Sequence, residues 1–318
     1  MKNDLMFGYL IHLSFHMWED ENAPARGKYE KPRYCENNNV DVALWDKLID
    51  FLSERKYNML LIDVGDGIKY ESHPEISAPD AWDKDFLKQK LAEIRAKGMV
   101  PIPKLNFSCC HHTWLKEYRR MVSTPMYYKV CADLIKEVCE VFDFPEFIQL
   151  GLDEENAPNQ KYRECIHIRQ GELLWHDIYF YFKEAEKHGA RPWIWSDYCW
   201  HYQEEFLEKM PKSVLQSNWY YGVFDDNLAD NFRNQIDTYE LLDKHGYEQI
   251  PTCSCWGKAG AKNVFQTLAY GKEKLSEELL RGYMVAPWVD TTFKHEYQLK
   301  NDAHALYCAR KEVYLETL

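Results

Sequence analysis

Residues 123–156 read STPMYYKVCADLIKEVCEVFDFPEFIQLGLDEEN, and they hold one complete unit of a repeat. Ser123-Thr124-Pro125 supplies an N-cap and a proline for a first helical turn. Val130, Leu134, Val138 and Val141 then recur at helical spacing, which gives the helix one apolar face. From Phe147 the run FIQLGLD is short and apolar and closes on acids, as a buried strand ending at a cleft would.

The same alternation runs along the whole chain. Eight short β-branched and aromatic runs begin near Met6, Tyr57, Met99, Phe147, Arg191, Val214, Ile250 and Tyr283, separated by longer amphipathic stretches. Between the first two, Val42, Trp45, Leu48, Ile49 and Leu52 fall on one helical face. Three helices are predicted to end alike, at Ala96-Lys97-Gly98, Lys187-His188-Gly189 and Lys244-His245-Gly246. A basic last turn and a glycine able to go left-handed suit a helix that leads back into a strand. Eight such units in ~250 to 400 residues predict an α/β fold, a single (β/α)8 barrel. A doubly wound sheet is the alternative, but it needs a glycine-rich turn after the first strand, and His12-Leu13-Ser14-Phe15-His16 is not one. No linker or low-complexity segment interrupts the chain, so residues 1–318 read as one domain.

Composition narrows the function. The 51 acidic and 39 basic side chains give a net charge of −12, the wrong sign for binding nucleic acid. No uncharged apolar stretch approaches the roughly 18 residues of a membrane helix, and Asp4 stands where a secretion signal would be basic. The expectation is a cytoplasmic chain without a membrane partner. Ten cysteines are too dilute for a disulfide scaffold and include no Cys-x-x-Cys pair, so reduced thiols are expected. The 11 Trp and 22 Tyr exceed what core filling needs, and aromatic faces can cover the C–H faces of sugars.

In a barrel the chemistry lies at the C-terminal ends of the strands. Those positions carry Asp63 and Asp66, then Asn106 with His111-His112, then Asp153-Glu154-Glu155. They continue with Asp197 and Tyr198, then Asn218, Trp219 and Tyr220, then Trp256, then Trp288 and Asp290. Three consecutive acids repel one another unless some point into a cleft. Two adjacent acids suit glycoside hydrolysis, in which one positions substrate and the other donates a proton. Cys109-Cys110-His111-His112 places four metal-ligand types in a row, but consecutive residues do not converge on one tetrahedral ion. Neither a metal nor a cofactor is expected.

These motifs resemble glycoside hydrolase family 20, the β-N-acetylhexosaminidases. Gln149-Leu150-Gly151-Leu152-Asp153-Glu154 is similar to the family's His-x-Gly-Gly-Asp-Glu. Asn58, Asp63 and Asp66-Gly67 resemble its second strand, and Pro103-Lys104-Leu105-Asn106, with a displaced His111 or His112, its third. Trp195-Ser196-Asp197, Gln216-Ser217-Asn218-Trp219 and Ala286-Pro287-Trp288-Val289-Asp290 look like its tryptophan-bearing strand ends. The resemblance implies an exo-acting, retaining, substrate-assisted hydrolase of oligosaccharides or glycoconjugates. It implies Glu154 as general acid/base and Asp153 as the residue that orients the substrate's 2-acetamido group. Asp66 and His111 or His112 would back the acid, and His16, Trp18, Asn106, Trp195, Asp197, Tyr198, Trp219, Tyr220, Trp256, Trp288 and Asp290 would hold the sugar. Two departures stand out: Phe15 replaces a sugar-clamping arginine, and Cys253-Ser254-Cys255-Trp256-Gly257 lacks the family's acetamide-holding tyrosine.

Two other readings compete. Asp290 or Asp197 would act as a separate nucleophile in one, and the barrel would bind glycans without cleaving them in the other. Exposed aromatics at the mouth also leave a homodimer open. The most specific geometric expectation is a hydrogen-bonded chain from Asp66 through a histidine, with His112 favoured over His111, to Glu154, both contacts within ~3.2 Å.

Overall fold

The computed structural model describes residues 5–24, 31–225 and 228–315. The eight apolar runs become eight parallel strands: β1 Met6–His12, β2 Met59–Asp63, β3 Val100–Lys104, β4 Phe147–Gln149, β5 Arg191–Trp195, β6 Leu215–Ser217, β7 Thr252–Cys253 and β8 Gly282–Val285. They hydrogen-bond in the order β6-β5-β4-β3-β2-β1-β8-β7. Parallel bridges Gln216–Gln249 and Trp219–Thr252 join the two outer strands, so the sheet closes into a (β/α)8 barrel.

The helices between strands are α1 Val42–Glu54, α2 Lys84–Ala96, α3 Pro125–Val141, α4 Gly171–Lys187, α5 Gln203–Lys209, α6 Asp230–Lys244 and α7 Ala261–Lys274, with α8 Glu296–Tyr314 closing the ring. Thr124 caps α3 by accepting the Tyr127 N–H. Gly98, Gly189 and Gly246 take φ of +82°, +79° and +76° at the predicted helix ends. No helix among the described residues is long and apolar enough to cross a membrane.

Strand alternation sorts the core into two apolar layers. Outward residues such as Phe7, Tyr9, Ile11, Leu60, Ile62 and Ile148 pack under the helices. Inward residues Leu10, Met59, Leu61, Ile102, Phe147, Trp193, Leu215 and Met284 fill the barrel. Two residues further along the inward rows of β1 to β4 the chemistry changes. His12, Asp63, Lys104 and Gln149 lie side by side in register and are all buried. The Lys104 ammonium donates to Asp63, with His12 Nδ1 3.4 Å from the same carboxylate. Burial drives the His12 pKa down, against the pull of Asp63. This polar layer is the floor on which the candidate site stands.

Asp302 of α8 is a second buried acid, and its position makes the fold sensitive to pH. Its Oδ1 accepts the Cys255 N–H at 3.1 Å, while Oδ2 has no partner among the described residues. Burial pushes its pKa up to about 7 from 3.8. A carboxyl whose pKa rises on folding destabilises the folded state progressively as pH climbs from the unfolded value to the folded one, and fully above it. Asp302→Asn is therefore expected to raise the melting temperature by a few degrees at pH 8. The gain should shrink toward zero near pH 4, and melts at the two pH values check it.

Candidate active site

Beyond β4 the backbone leaves the extended region. Gly151, Leu152 and Glu154 have φ of +73°, +68° and +56°. In an extended chain Asp153 and Glu154 would face opposite sides, and the left-handed residues break that alternation. A side chain at Gly151 is also excluded by space, since a Cβ there would lie 1.8 Å from Asn106 Oδ1.

Both acids reach one histidine. His111 Nε2 lies 3.1 Å from Asp153 Oδ2 and 3.1 Å from Glu154 Oε2. Asn106 Nδ2 donates to the other Asp153 oxygen at 2.9 Å. Burial works against a charge on His111, but Asp153 and Glu154 outweigh it and hold the imidazole above its ordinary value. Burial likewise pushes the Asp153 carboxyl up, and the facing His111, with Lys104 and Asn106, brings it below the usual range. Glu155 turns the other way, into a buried pair with Arg169, which Asp177 also holds at 3.2 Å. The three consecutive acids thus escape mutual repulsion because Asp153 and Glu154 share His111 while Glu155 points at Arg169.

Asp153 and Glu154 line a pocket of about 220 Å³ with Phe15, Trp18, Lys31, Pro32, Trp195, Trp219, Tyr221, Trp256 and Trp288. Five of these are the next inward positions of their strands: Trp195 follows Trp193, Trp219 and Tyr221 follow Ser217, Trp256 follows Ser254, and Trp288 follows Ala286. Trp18 and Trp195 carry buried indole N–H groups with no acceptor among the described residues. Lys31 Nζ sits 3.9 Å from Glu154 Oε2 and 5.1 Å above the Trp18 ring, adding a positive charge at the rim. Arg163 donates to the carbonyls of Met17, Trp18 and Cys110, which ties the loop bearing Trp18 to the loop bearing His111.

Several expected placements are corrected. The chain Asp66–His112–Glu154 does not form. Asp66 accepts from Ser14 Oγ at 2.6 Å and pairs with His16 Nδ1 at 2.9 Å, and the other nitrogen of His16 lies 3.2 Å from Cys35 Sγ. Asp66 falls one residue off the inward row of β2, so it faces the β1 loop, and His16 is drawn away from the pocket with it. His112 is buried, and burial together with Arg163 and Arg169 pushes its pKa well down; the contact with Glu154 is made by His111. Asn106 touches Asp153 from behind and does not line the pocket. Asp197 stands behind Glu154, whose backbone N–H it accepts at 2.7 Å. Tyr198 and Tyr220 are off the inward rows. Tyr198 donates to Glu205 and stacks on Tyr202, while Tyr220 packs on Phe224. Asp290 is held by Thr292 and His295, each at 2.6 Å. Sequence reasoning missed Phe15, Lys31, Pro32 and Tyr221 as lining residues. Period-two counting from Trp219 was enough to find Tyr221, whereas nothing local marks Lys31 and Pro32.

No family model and no curated protein matches the sequence. Solved structures share its fold. A GH20 exo-β-N-acetylglucosaminidase from Vibrio harveyi, in complex with N-acetylglucosamine, superposes with a TM-score of 0.64 at 12% identity over 98% of this chain and 57% of that one. A GH20 catalytic module of the pneumococcal exo-β-D-N-acetylglucosaminidase StrH gives 0.63 at 15% identity, over 98% of this chain and 85% of that one. A mutant Streptomyces plicatus β-hexosaminidase bound to its product gives 0.62 at 12% identity, over 99% and 68%. The chain spans a little over half the length of the Vibrio protein. What these likenesses share with this chain is the (β/α)8 fold.

Gly151 offers a direct test of the left-handed turn. Gly151→Ala must either move Asn106 or distort the turn, so it is expected to destabilise by several kcal/mol and to abolish whatever the site does. Gly98→Ala, also left-handed but with nothing within 4 Å of the added carbon, should cost only about 1–2 kcal/mol. Denaturant melts of the two variants compare them directly.

Proposed function

We propose that this chain is a glycoside hydrolase of the β-N-acetylhexosaminidase type, exo-acting and retaining, that works on oligosaccharides or glycoconjugates. The observation that carries this reading is the pair of adjacent carboxylates, Asp153 and Glu154, sharing His111 at the wall of a tryptophan-lined pocket. A pocket of about 220 Å³ lies below the roughly 300–1,000 Å³ of drug-sized sites and suits one sugar ring. Indole faces suit its C–H faces, and the free N–H groups of Trp18 and Trp195 suit its oxygens.

In this reading Glu154 gives its proton to the glycosidic oxygen as the bond to the anomeric carbon breaks. The nucleophile is the carbonyl oxygen of the substrate's own 2-acetamido group, which bonds to that carbon and makes a cyclic intermediate. Asp153, kept ionised by His111, accepts the acetamide N–H and stabilises the positive charge that builds on it. Glu154 then takes a proton from water, whose oxygen opens the ring with overall retention. What favours this over a separate nucleophile is the lining itself: among the described residues its only acids are Asp153 and Glu154. Asp197 lies behind Glu154 and Asp290 is bonded to Thr292 and His295, so neither faces the sugar held in this pocket. A barrel that only binds glycans would have no use for a positioned proton donor.

Chromogenic β-N-acetylglucosaminide, β-N-acetylgalactosaminide and plain β-glucoside, assayed side by side, test this. At least one acetamido substrate should turn over about 10²-fold or more faster than the glucoside, and equal rates would contradict an acetamide nucleophile. Glu154→Gln should lose about 10²- to 10⁴-fold on poor leaving groups and far less on activated aryl glycosides. Equal loss on both classes would remove Glu154 as the acid.

A further inference from the structure

Glu154 borders more than one cavity. On its far side, away from the tryptophan pocket, lies a second cavity of about 460 Å³ between the loops that follow β4 and β5. Among the described residues the two cavities share only Glu154 and Trp219. A side chain that protonates a glycosidic oxygen must touch that oxygen, so the sugar in the pocket and the group it leaves behind lie on either side of the acid.

The aromatic surface continues across the boundary. Tyr221 stacks on Trp219 at 5.1 Å inside the pocket, and Trp219 meets Trp200 edge-on at 4.5 Å on the way out. Beyond them Tyr202, 50% exposed, rests one face on Tyr198 at 4.6 Å and leaves the rest of its ring open to solvent. An open ring backed by another is a platform for the C–H face of a sugar. The remaining lining is polar and hydroxyl-compatible, through Asn159, Gln235 and the Asp197 carboxyl, whose Oδ1 has no partner among the described residues. Among the described residues no lysine or arginine borders the cavity, so sulfate, phosphate or uronate would find no ammonium or guanidinium to pair with there.

We propose that this second cavity is the leaving-group subsite and that it takes an uncharged sugar residue stacked on Tyr202, so that the substrate is a neutral oligosaccharide. The inference rests on the glycosidase reading and goes further by naming what lies beyond the first sugar. It also assigns a role to Tyr202, a residue with no part in the chemistry.

The test compares two substrates on the full chain. One is a β-linked disaccharide of N-acetylglucosamine, whose leaving residue would reach Tyr202. The other is 2-acetamido-2-deoxy-β-glucosyl fluoride, whose leaving atom is too small to do so. Tyr202→Ala, at an exposed position, should lower kcat/KM for the disaccharide about tenfold, mainly through KM, and leave the fluoride within about twofold of wild type. Tyr202→Phe, which keeps the ring, should retain disaccharide turnover. A disaccharide sulfated on its leaving residue should be cut at least about tenfold more slowly than the neutral one. If wild type turns over the fluoride and Tyr202→Ala cuts the neutral disaccharide normally, the subsite is wrong and the glycosidase stands. Sulfated and neutral disaccharides cut at equal rates would overturn the uncharged leaving residue. If wild type turns over neither the fluoride nor the disaccharide, both the subsite and the glycosidase fall.

Discussion

One imidazole lets two neighbouring carboxylates share a pocket wall. His111 Nε2 stands 3.1 Å from an oxygen of each, and the two acids together keep it more readily protonated than a free histidine. Without that pull toward the protonated ring, Asp153 and Glu154 would repel each other, and one of them would turn away or stay protonated. With it, Asp153 is held in its charged form and Glu154 is held in place. That contact brings both carboxylates to one wall of the pocket.

The rest of the site keeps the contact in position. Left-handed backbone at Gly151, Leu152 and Glu154 swings both acids toward His111, and Asn106 fastens Asp153 from behind. Arg163 gathers the carbonyls around His111 and Trp18, while Arg169 draws off the third acid, Glu155. Beneath them the Lys104–Asp63 pair places a buried positive charge under Asp153. Such a pair adds little net stability, since desolvation opposes its attraction, so its value here lies in setting the local charge.

Most of the fold was legible in the sequence because barrel strands and their helices are local patterns. Each of the eight apolar runs becomes a strand, and the basic-Gly helix ends all turn left-handed. The tryptophans were legible for the same reason, since they extend inward rows with a period of two. Two kinds of feature were not. Where the backbone leaves extended geometry, counting fails, which is why the sequence favours His112 over His111. Where two loops meet, as Asp66 meets His16 and as Lys31 meets Glu154, nothing within either loop announces the other.

This arrangement depends most on the charge of His111, and a pH titration of its ring by NMR, on the isotopically labelled full chain, reads that charge directly. Its midpoint should lie above the ordinary value of 6.5 and fall when Asp153 is replaced by Asn. A midpoint at or below 6.5 that does not respond to Asp153→Asn would contradict it, because His111 would then be a neutral neighbour of the two acids and not the cation that holds them together.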